Sequence, residues 1–282
     1  RDATHLAVPG KIEGTNFTDS LLIGHSTTGT LSSADRNTGV GIEALDAITS
    51  GFDNTALGYL AGSAITSGTN NTFVGKSAGD SVTTSGSNVG MGFYSLSAIT
   101  TGASNNVAVG RNAMKDSTGA SVDGNTAIGY AALEDTTGGY NIGIGSNAGD
   151  NITSGSGNVI IGGVDADSAT GSRQLKIAGY DGTTTTTWLS GDSSGNLTFK
   201  RVDTGDDNPY VLTLQTGETD IAASDILGSI NFQAPDEGTG TDAILVAAGI
   251  DAVSEGDFSL SNNATKLSFK TAASEAAAEK MS

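Results

Sequence analysis

The chain has 282 residues, of which 41 are glycine and none is cysteine; 36% are hydrophobic and only 5% are aromatic. Large apolar side chains are too few for one wide globular core, and without cysteine the chain has neither disulfides nor thiol chemistry. The formal net charge of −18, from 13 basic and 31 acidic residues, argues against nucleic-acid binding, and no apolar run approaches the roughly 20 residues that cross a bilayer.

After an extended lead-in at residues 1–19, which we expect to hold at most a short strand, one phrase repeats through residues 20–163. It reads asparagine, a β-branched or small residue, a residue that is mostly glycine or alanine, an aliphatic residue, then glycine. The asparagines are Asn37, Asn54, Asn71, Asn88, Asn106, Asn125, Asn141 and Asn158, and a weaker copy starts at Ser20. Successive copies are 16 to 19 residues apart, most often 17. A period this short predicts one coil of a β-solenoid.

Counting each asparagine as position zero, we predict that positions one and three point into the core, because residues two apart on a strand share a face. Position three supplies the predicted repeat core: Val40, Leu57, Val74, Met91, Val109, Ile128, Ile144 and Ile161. Position two is expected to face outward, where small residues would let a second chain approach closely. The alternative is a flat surface with nothing docked on it.

The rest of each coil supplies a glycine turn and a second inward residue. The turn glycines at position four are Gly41, Gly58, Gly75, Gly92, Gly110, Gly129, Gly145 and Gly162. Position eleven, predicted to point inward from a second strand, is Ile48, Ile65, Val82, Ile99 and Ile152. It becomes Ser117 and Thr136 in the coils of 19 and 16 residues, so we expect the second strand to be rearranged there.

Residues 164–282 lack the period and are predicted to form β-rich shaft or tip segments. The candidate strands are 174–177, 183–189, 197–199, 210–215, 226–233, 243–250 and 266–271, with a turn at 191–196. A low-complexity threonine tract is the alternative for 183–187. Residues 272–281 have helical composition, but ten residues at a chain end rarely hold a helix alone.

No catalytic, cofactor-binding or metal-binding residue is predicted, and we expect no enzyme activity. Two glycine-rich phrases, Gly39-x-Gly41-x-x-Ala44 and Gly143-x-Gly145-x-x-Ala148, match a dinucleotide fingerprint, but another coil follows each of them instead of a long helix. His5 and His25 lack partners at motif spacing.

Acidic residues recur at position nine, as Asp46, Asp80, Glu134 and Asp150. A stack of coils would place them along one edge. We interpret this edge as a solvated surface, with a weak divalent-cation surface as the alternative, because the spacing of a calcium loop is missing.

The phrase from Asn125 to Gly129, Asn-Thr-Ala-Ile-Gly, resembles the head repeat of trimeric autotransporter adhesins, which also occurs in bacteriophage tail fibres. In the adhesin heads this repeat forms a left-handed parallel β-roll of three chains packed about one axis. The resemblance covers residues 20–163, about half of the chain, and implies a homotrimer.

Phrases at 188–196, 225–232 and 266–281 are similar to the shaft segments that precede an intramolecular chaperone in phage tail fibres. Neither an adhesin's membrane-anchor barrel nor the self-cleaving chaperone expected after Ser282 is seen. We therefore expect a mature or truncated fibre, and not a cell-anchored adhesin.

The resemblances imply a tail-fibre component of a virion that attaches to the host surface. Its expected partners are two further copies of itself, a virion attachment protein, and a bacterial surface glycan or protein receptor, with no nucleic acid and no membrane insertion. The alternatives are a bacterial trimeric adhesin or extracellular filament at the cell surface and, less favoured, a polysaccharide-depolymerising tailspike. Host contacts are expected in the turns at 203–208, 235–242 and 254–257 or beyond Ser282, with the deviant coils at 115–124 and 134–139 as the competing site.

Overall fold

A computed structural model describes residues 10–12, 14–24, 28–200, 210–233, 246–271 and 278–281. The chain divides into two compact units, Arg1–Asn208 and Pro209–Ser282. All regular elements within the described residues are β-strands, with no helix among them. The predicted all-β class is confirmed.

The first unit contains one sheet of thirteen strands in chain order. Its strands are β1 (Gly10–Ile12), β2 (Leu21–Ile23), β3 (Thr38–Val40), β4 (Thr55–Leu57), β5 (Thr72–Val74), β6 (Val89–Met91), β7 (Val107–Val109), β8 (Thr126–Ile128), β9 (Ile142–Ile144), β10 (Val159–Ile161), β11 (Leu175–Tyr180), β12 (Thr185–Gly191) and β13 (Leu197–Phe199). Strands β2 to β10 belong to successive coils and pair in parallel. The predicted β-solenoid, with nine coils about 17 residues apart, is confirmed.

Neighbouring coils stack in register, so each repeat position forms a straight column along the rod. Thr38 pairs with Thr55, and Val40 with Leu57, and the same correspondence continues from coil to coil despite the changes in coil length. The length changes are therefore absorbed outside the strands.

The structure reverses the predicted direction of the strand residues. Position two is buried: Ala56, Phe73, Ala108, Ala127 and Ile160 are at most 1% exposed. The predicted repeat core lies on the outer face, with Leu57, Met91, Ile128 and Ile144 between 37% and 48% exposed and Val40, Val74, Val109 and Ile161 partly exposed. The reason is the asparagine at position zero, which is buried and therefore places position two, on the same side of the strand, in the core.

The buried asparagines form a continuous hydrogen-bonded ladder. The backbone N–H of Asn88 donates to Oδ1 of Asn71 at 3.1 Å, and the Asn88 side-chain Nδ2 donates to the same oxygen at 3.2 Å. Nδ2 of Asn88 also donates to the carbonyl of Ala103 at 3.1 Å. Ser20 opens the ladder and Gln174 ends it. Buried amides are retained here because the neighbouring coils and the end of the same coil satisfy their hydrogen-bonding groups.

The other predicted inward position agrees with the structure, although no strand carries it. The five aliphatic residues at position eleven are fully buried, in a segment of turns and bends. Ser117 and Thr136 are also fully buried, and Ser117 Oγ donates to the carbonyl of Leu133 at 3.2 Å. The polar replacements therefore keep the inward direction and satisfy their hydroxyl groups with backbone carbonyls.

The glycines at position four allow adjacent coils to approach closely. Gly58 has φ of 139°, and a Cβ added to it would lie 2.5 Å from the carbonyl oxygen of Gly75. The whole column, from Gly41 to Gly162, has φ between 108° and 144°, a region that side chains rarely adopt.

The sheet continues beyond Gly163. Strand β11 pairs in parallel with β10, and β12 and β13 follow as antiparallel strands. The expected turn at 191–196 is organised by Asp192, whose Oδ1 accepts from the backbone N–H groups of Ser194 and Asn196 at 2.9 and 3.0 Å. Residues 185–187 of the threonine tract lie in β12, whereas residues 183 and 184 lie in the turn before it, where their backbone N–H groups donate to Asp181 Oδ1.

The second unit is an antiparallel sheet of four strands in chain order: β14 (Ile226–Gln233), β15 (Val246–Ser254), β16 (Thr265–Thr271) and β17 (Ala278–Met281). The candidate strand at 210–215 does not form, because this segment pairs with neither sheet. Residues 243–245 and 272–277 lie outside the described residues, and the end of the segment with helical composition is strand β17.

One ion pair joins two neighbouring strands of this sheet. Lys270 Nζ lies 2.8 Å from Asp251 Oδ2, and Ser229 Oγ donates to Asp251 Oδ1 at 2.8 Å. Burial acts to raise the pKa of Asp251, but the hydrogen bonds from Lys270 and Ser229 outweigh it and hold that pKa below its usual value.

Candidate functional site: the outer face of the β-roll

The strand columns present a flat, regular and partly apolar face. Position three contributes aliphatic side chains from every coil, including Leu57, Met91 and Ile128 at 48%, 43% and 41% exposure. Position one adds threonine in four coils and aliphatic residues in the others, such as Ile142 at 36% exposure. A contiguous apolar face is rarely left in water, and such faces mark surfaces where another molecule docks.

A second feature lies where the roll meets the hairpin formed by β11 and β12. A cavity of about 530 Å³ opens there. Its lining includes Asp150 and Asp165 from the coil side, and Lys176, Tyr180 and Thr187 from the hairpin. The cavity is polar and open to solvent, so it can admit a small hydrophilic ligand.

Two carboxyl groups interact inside this cavity. Burial, the hydrogen bond to Asp165 and the charge of Asp165 together raise the pKa of Asp150 to about 7. Neighbouring carboxylates repel each other when both are ionised, so Asp150 keeps its proton up to about neutral pH. Lys176 does not relieve the repulsion, because its Nζ pairs with Asp167 at 2.6 Å.

The predicted acidic edge is present as a column of half-buried side chains, and it is not fully solvated. Burial raises the pKa of both Asp80 and Glu134. Lys115 lies in the same column, 3.8 Å from Glu134. Within the described residues no group of three acidic or histidine side chains could hold a metal ion.

The other predicted sites fall in different places. Residues 203–208 and 235–242, like His5 and His25, lie outside the described residues. In the 19-residue coil, residues 118–121 are exposed and form a protruding loop, whereas Gly138 and Gly139 of the 16-residue coil are buried. The glycine-rich phrases cannot hold a phosphate, because Gly39 and Gly143 face the core against Leu22 and Leu133.

Comparison with known proteins returned no matching family model, no matching curated protein and no matching solved structure. In the part of the chain that the structure describes, no helix is long and apolar enough to span a membrane. The proposed function therefore rests on the fold and on its outer face.

Proposed function

We propose that the chain is a structural component of a homotrimeric virion tail fibre that attaches the particle to its host. Three left-handed rolls pack about one axis through the apolar outer face, and residues 164–282 form interwoven shaft or tip segments. One end binds a virion attachment protein, and a bacterial surface glycan or protein is the receptor. The role needs no catalysis.

The observation that supports trimer formation is the row of aliphatic side chains on the outer face. Leu57, Met91 and Ile128 lie on a face flattened by in-register strands, and burying their exposed surface in a trimer would add stabilisation in proportion to the apolar area covered. The roll itself has a thin core in which alanine is the commonest apolar residue, so association supplies burial that a single stack lacks.

Sedimentation equilibrium of the intact chain tests the association. We expect three times the 28.0 kDa mass of one chain. Changing Leu57 and Met91 to glutamate should release single folded chains, whereas the same change at the exposed Thr84 and Thr118, outside the strand face, should leave the trimer intact. A mass of one chain for the unmodified protein at micromolar concentration contradicts the proposal.

Immunogold electron microscopy tests the location. An antibody against the chain should label the tail fibres of phage particles purified from infected bacterial cultures that produce this protein. Label on bacterial surfaces without label on particles would favour the trimeric adhesin instead.

A further inference from the structure

A row of alternating aromatic and cationic side chains runs along one edge of the outer face. We call it the position-five row; its members are Tyr59, Lys76, Phe93, Arg111 and Tyr130, one from each of five successive coils. Lys76 Nζ lies 5.9 Å from the ring centre of Tyr59 and 5.3 Å from that of Phe93. The Arg111 guanidinium lies 5.9 Å from Phe93 and 5.6 Å from Tyr130.

Each cation is thus held between two rings, which fixes its position. Cation–π contacts of this length are attractive, and a side chain already held in place loses less conformational entropy when it binds a partner. The two cations are two coils apart, or about 10 Å at the usual strand spacing. The row therefore presents two positioned positive charges at a regular interval along the rod.

Neither cation of the row is neutralised by the described part of the chain. Arg36, Lys115, Lys176 and Lys270 each lie within 3 Å of a carboxylate oxygen. Lys76 and Arg111 are exposed, and no ion pair joins either of them to a described carboxylate. In a chain with 31 acidic residues, two cations without a carboxylate partner are available for an external anion.

The surrounding columns are free of negative charge. From position zero to position six, the five coils that supply the row contain no aspartate or glutamate, as the segments 54–60, 71–77, 88–94, 106–112 and 125–131 show. The acidic residues of these coils lie at other positions, so this edge of the outer face carries a locally positive strip on a strongly negative molecule. Such segregation favours an anionic partner at the row.

We infer that the position-five row binds an extended acidic polysaccharide, with one carboxylate at Lys76 and the next at Arg111. The spacing of the cations is comparable with the length of a disaccharide unit, so a polymer with one uronate per disaccharide fits both. The hydroxyl groups of Tyr59 and Tyr130 extend the row of hydrogen-bonding groups to the sugar hydroxyls. This inference rests on the proposed attachment function and assigns it a class of receptor.

A second copy of the chain fits the row less well. The acidic residues that border the opposite edge of the face are already engaged: Asp53 pairs with Arg36 at 2.6 Å, Asp123 accepts from the backbone N–H of Ser104 at 2.6 Å, and Asp35 accepts from that of Thr18 at 3.2 Å. Charge complementarity therefore points to a ligand outside the protein.

Titration calorimetry of the intact protein with hyaluronan fragments, which carry one uronate per disaccharide, tests the inference, with neutral dextran as the control ligand. We expect binding to hyaluronan alone, weakening as salt is raised. Changing both Lys76 and Arg111 to glutamine should weaken it by about tenfold or more. The matched variant Lys115→Gln removes the same type of charge outside the row and should bind like the parent.

Two results overturn the inference: no binding of hyaluronan by the parent, or equal binding by the parent and the double variant. If the parent does not bind and the double variant also loses the trimer, the row belongs to contacts between copies. Sedimentation mass and particle labelling are measured separately from hyaluronan binding. If the tail-fibre proposal fails but the protein binds hyaluronan, the position-five row is still a glycan-binding site.

Discussion

Phe73 occupies the space that a side chain at Gly79 would need, since a Cβ added to Gly79 would lie 2.5 Å from Phe73 Cζ. The same exchange of size between positions two and eight occurs in two other coils. Leu45 and Leu96 at position eight follow Gly39 and Gly90 at position two. In these coils a large residue in one column is matched by a small residue in the other.

The double variant Phe73→Ala with Gly79→Leu should be more stable than the sum of its single changes predicts. Gly79→Leu alone overpacks the site and should cost about 3 kcal/mol, and Phe73→Ala alone leaves a cavity and should cost about 4 kcal/mol. Leucine tolerates the left-handed backbone here, because Leu45 and Leu96 have φ of 58° and 55° against 61° for Gly79. Denaturant unfolding of the parent, both single variants and the double variant, at one protein concentration, gives the coupling free energy between Phe73 and Gly79. If the two changes in unfolding free energy simply add, the two residues do not share the same space.

Adjacent residues of β8 should respond oppositely to a carboxylate. Ala127 is fully buried, so Ala127→Asp places an unpaired charge in the core and should unfold several coils. Ile128 is 41% exposed, so Ile128→Asp should keep the β-sheet circular dichroism at 25 °C and impair only association. If Ile128→Asp loses the β signal while Ala127→Asp keeps it, position three and not position two points inward.

The sequence was sufficient for the coil period and for the inward residues at position eleven, because a fixed 17-residue interval and a recurring aliphatic residue depend only on the repeat. It misled us about the strand because aliphatic residues at positions one and three look like a core. Asn37 and its equivalents indicate the correct direction. An amide that recurs in every coil is best satisfied when it is buried against the amides of neighbouring coils, and position two lies on the same face of the strand.

Other features needed the three-dimensional structure. Asp165 interacts with Asp150 although the two do not share a repeat position, so no column read from the sequence pairs them. The cation–π row was readable in principle, since Tyr59, Lys76 and Phe93 share position five, but its contacts depend on the in-register stacking of coils. Segment 210–215 alternates like a strand and yet pairs with no other strand. Whether a partner strand is present depends on the tertiary structure, which local composition does not reveal.

The asparagine ladder should be sensitive to a single acid. Asn88→Asp keeps the acceptor for the Asn106 N–H but replaces the donor to Ala103 and Asn71 with a carboxylate oxygen. We expect the free energy of unfolding to fall by about 3 kcal/mol at pH 7 and by less at pH 4, where a protonated carboxyl can donate again. The control is Asn105→Asp, because Asn105 is exposed and directly precedes Asn106 of the ladder. An equal effect of both variants on denaturant unfolding would mean that the ladder does not stabilise the roll.

The raised pKa of Asp150 predicts that the stability of the roll depends on pH. Its pKa is raised in the folded chain to about 7 from 3.8, so the folded chain binds this proton more tightly than the unfolded chain. The stabilisation from the proton is fully present below about pH 4 and is lost as the pH rises through 7. Asp150→Asn keeps a donor towards Asp165 without the charge, so the variant should melt at a higher temperature than the parent at pH 8 and at a similar temperature near pH 4.

Melting curves of the parent, Asp150→Asn and the control Asp19→Asn at pH 4, 6 and 8 check this expectation. Asp19 is an exposed carboxylate of the same unit, so its change should give no comparable gain at pH 8. The difference in melting temperature between Asp150→Asn and the parent should appear between pH 4 and pH 8, since the parent loses the Asp150 proton over this range and the variant has no proton to lose there. No difference at pH 8, or an equally large difference at pH 4, would mean that the pKa of Asp150 is not raised in the folded chain.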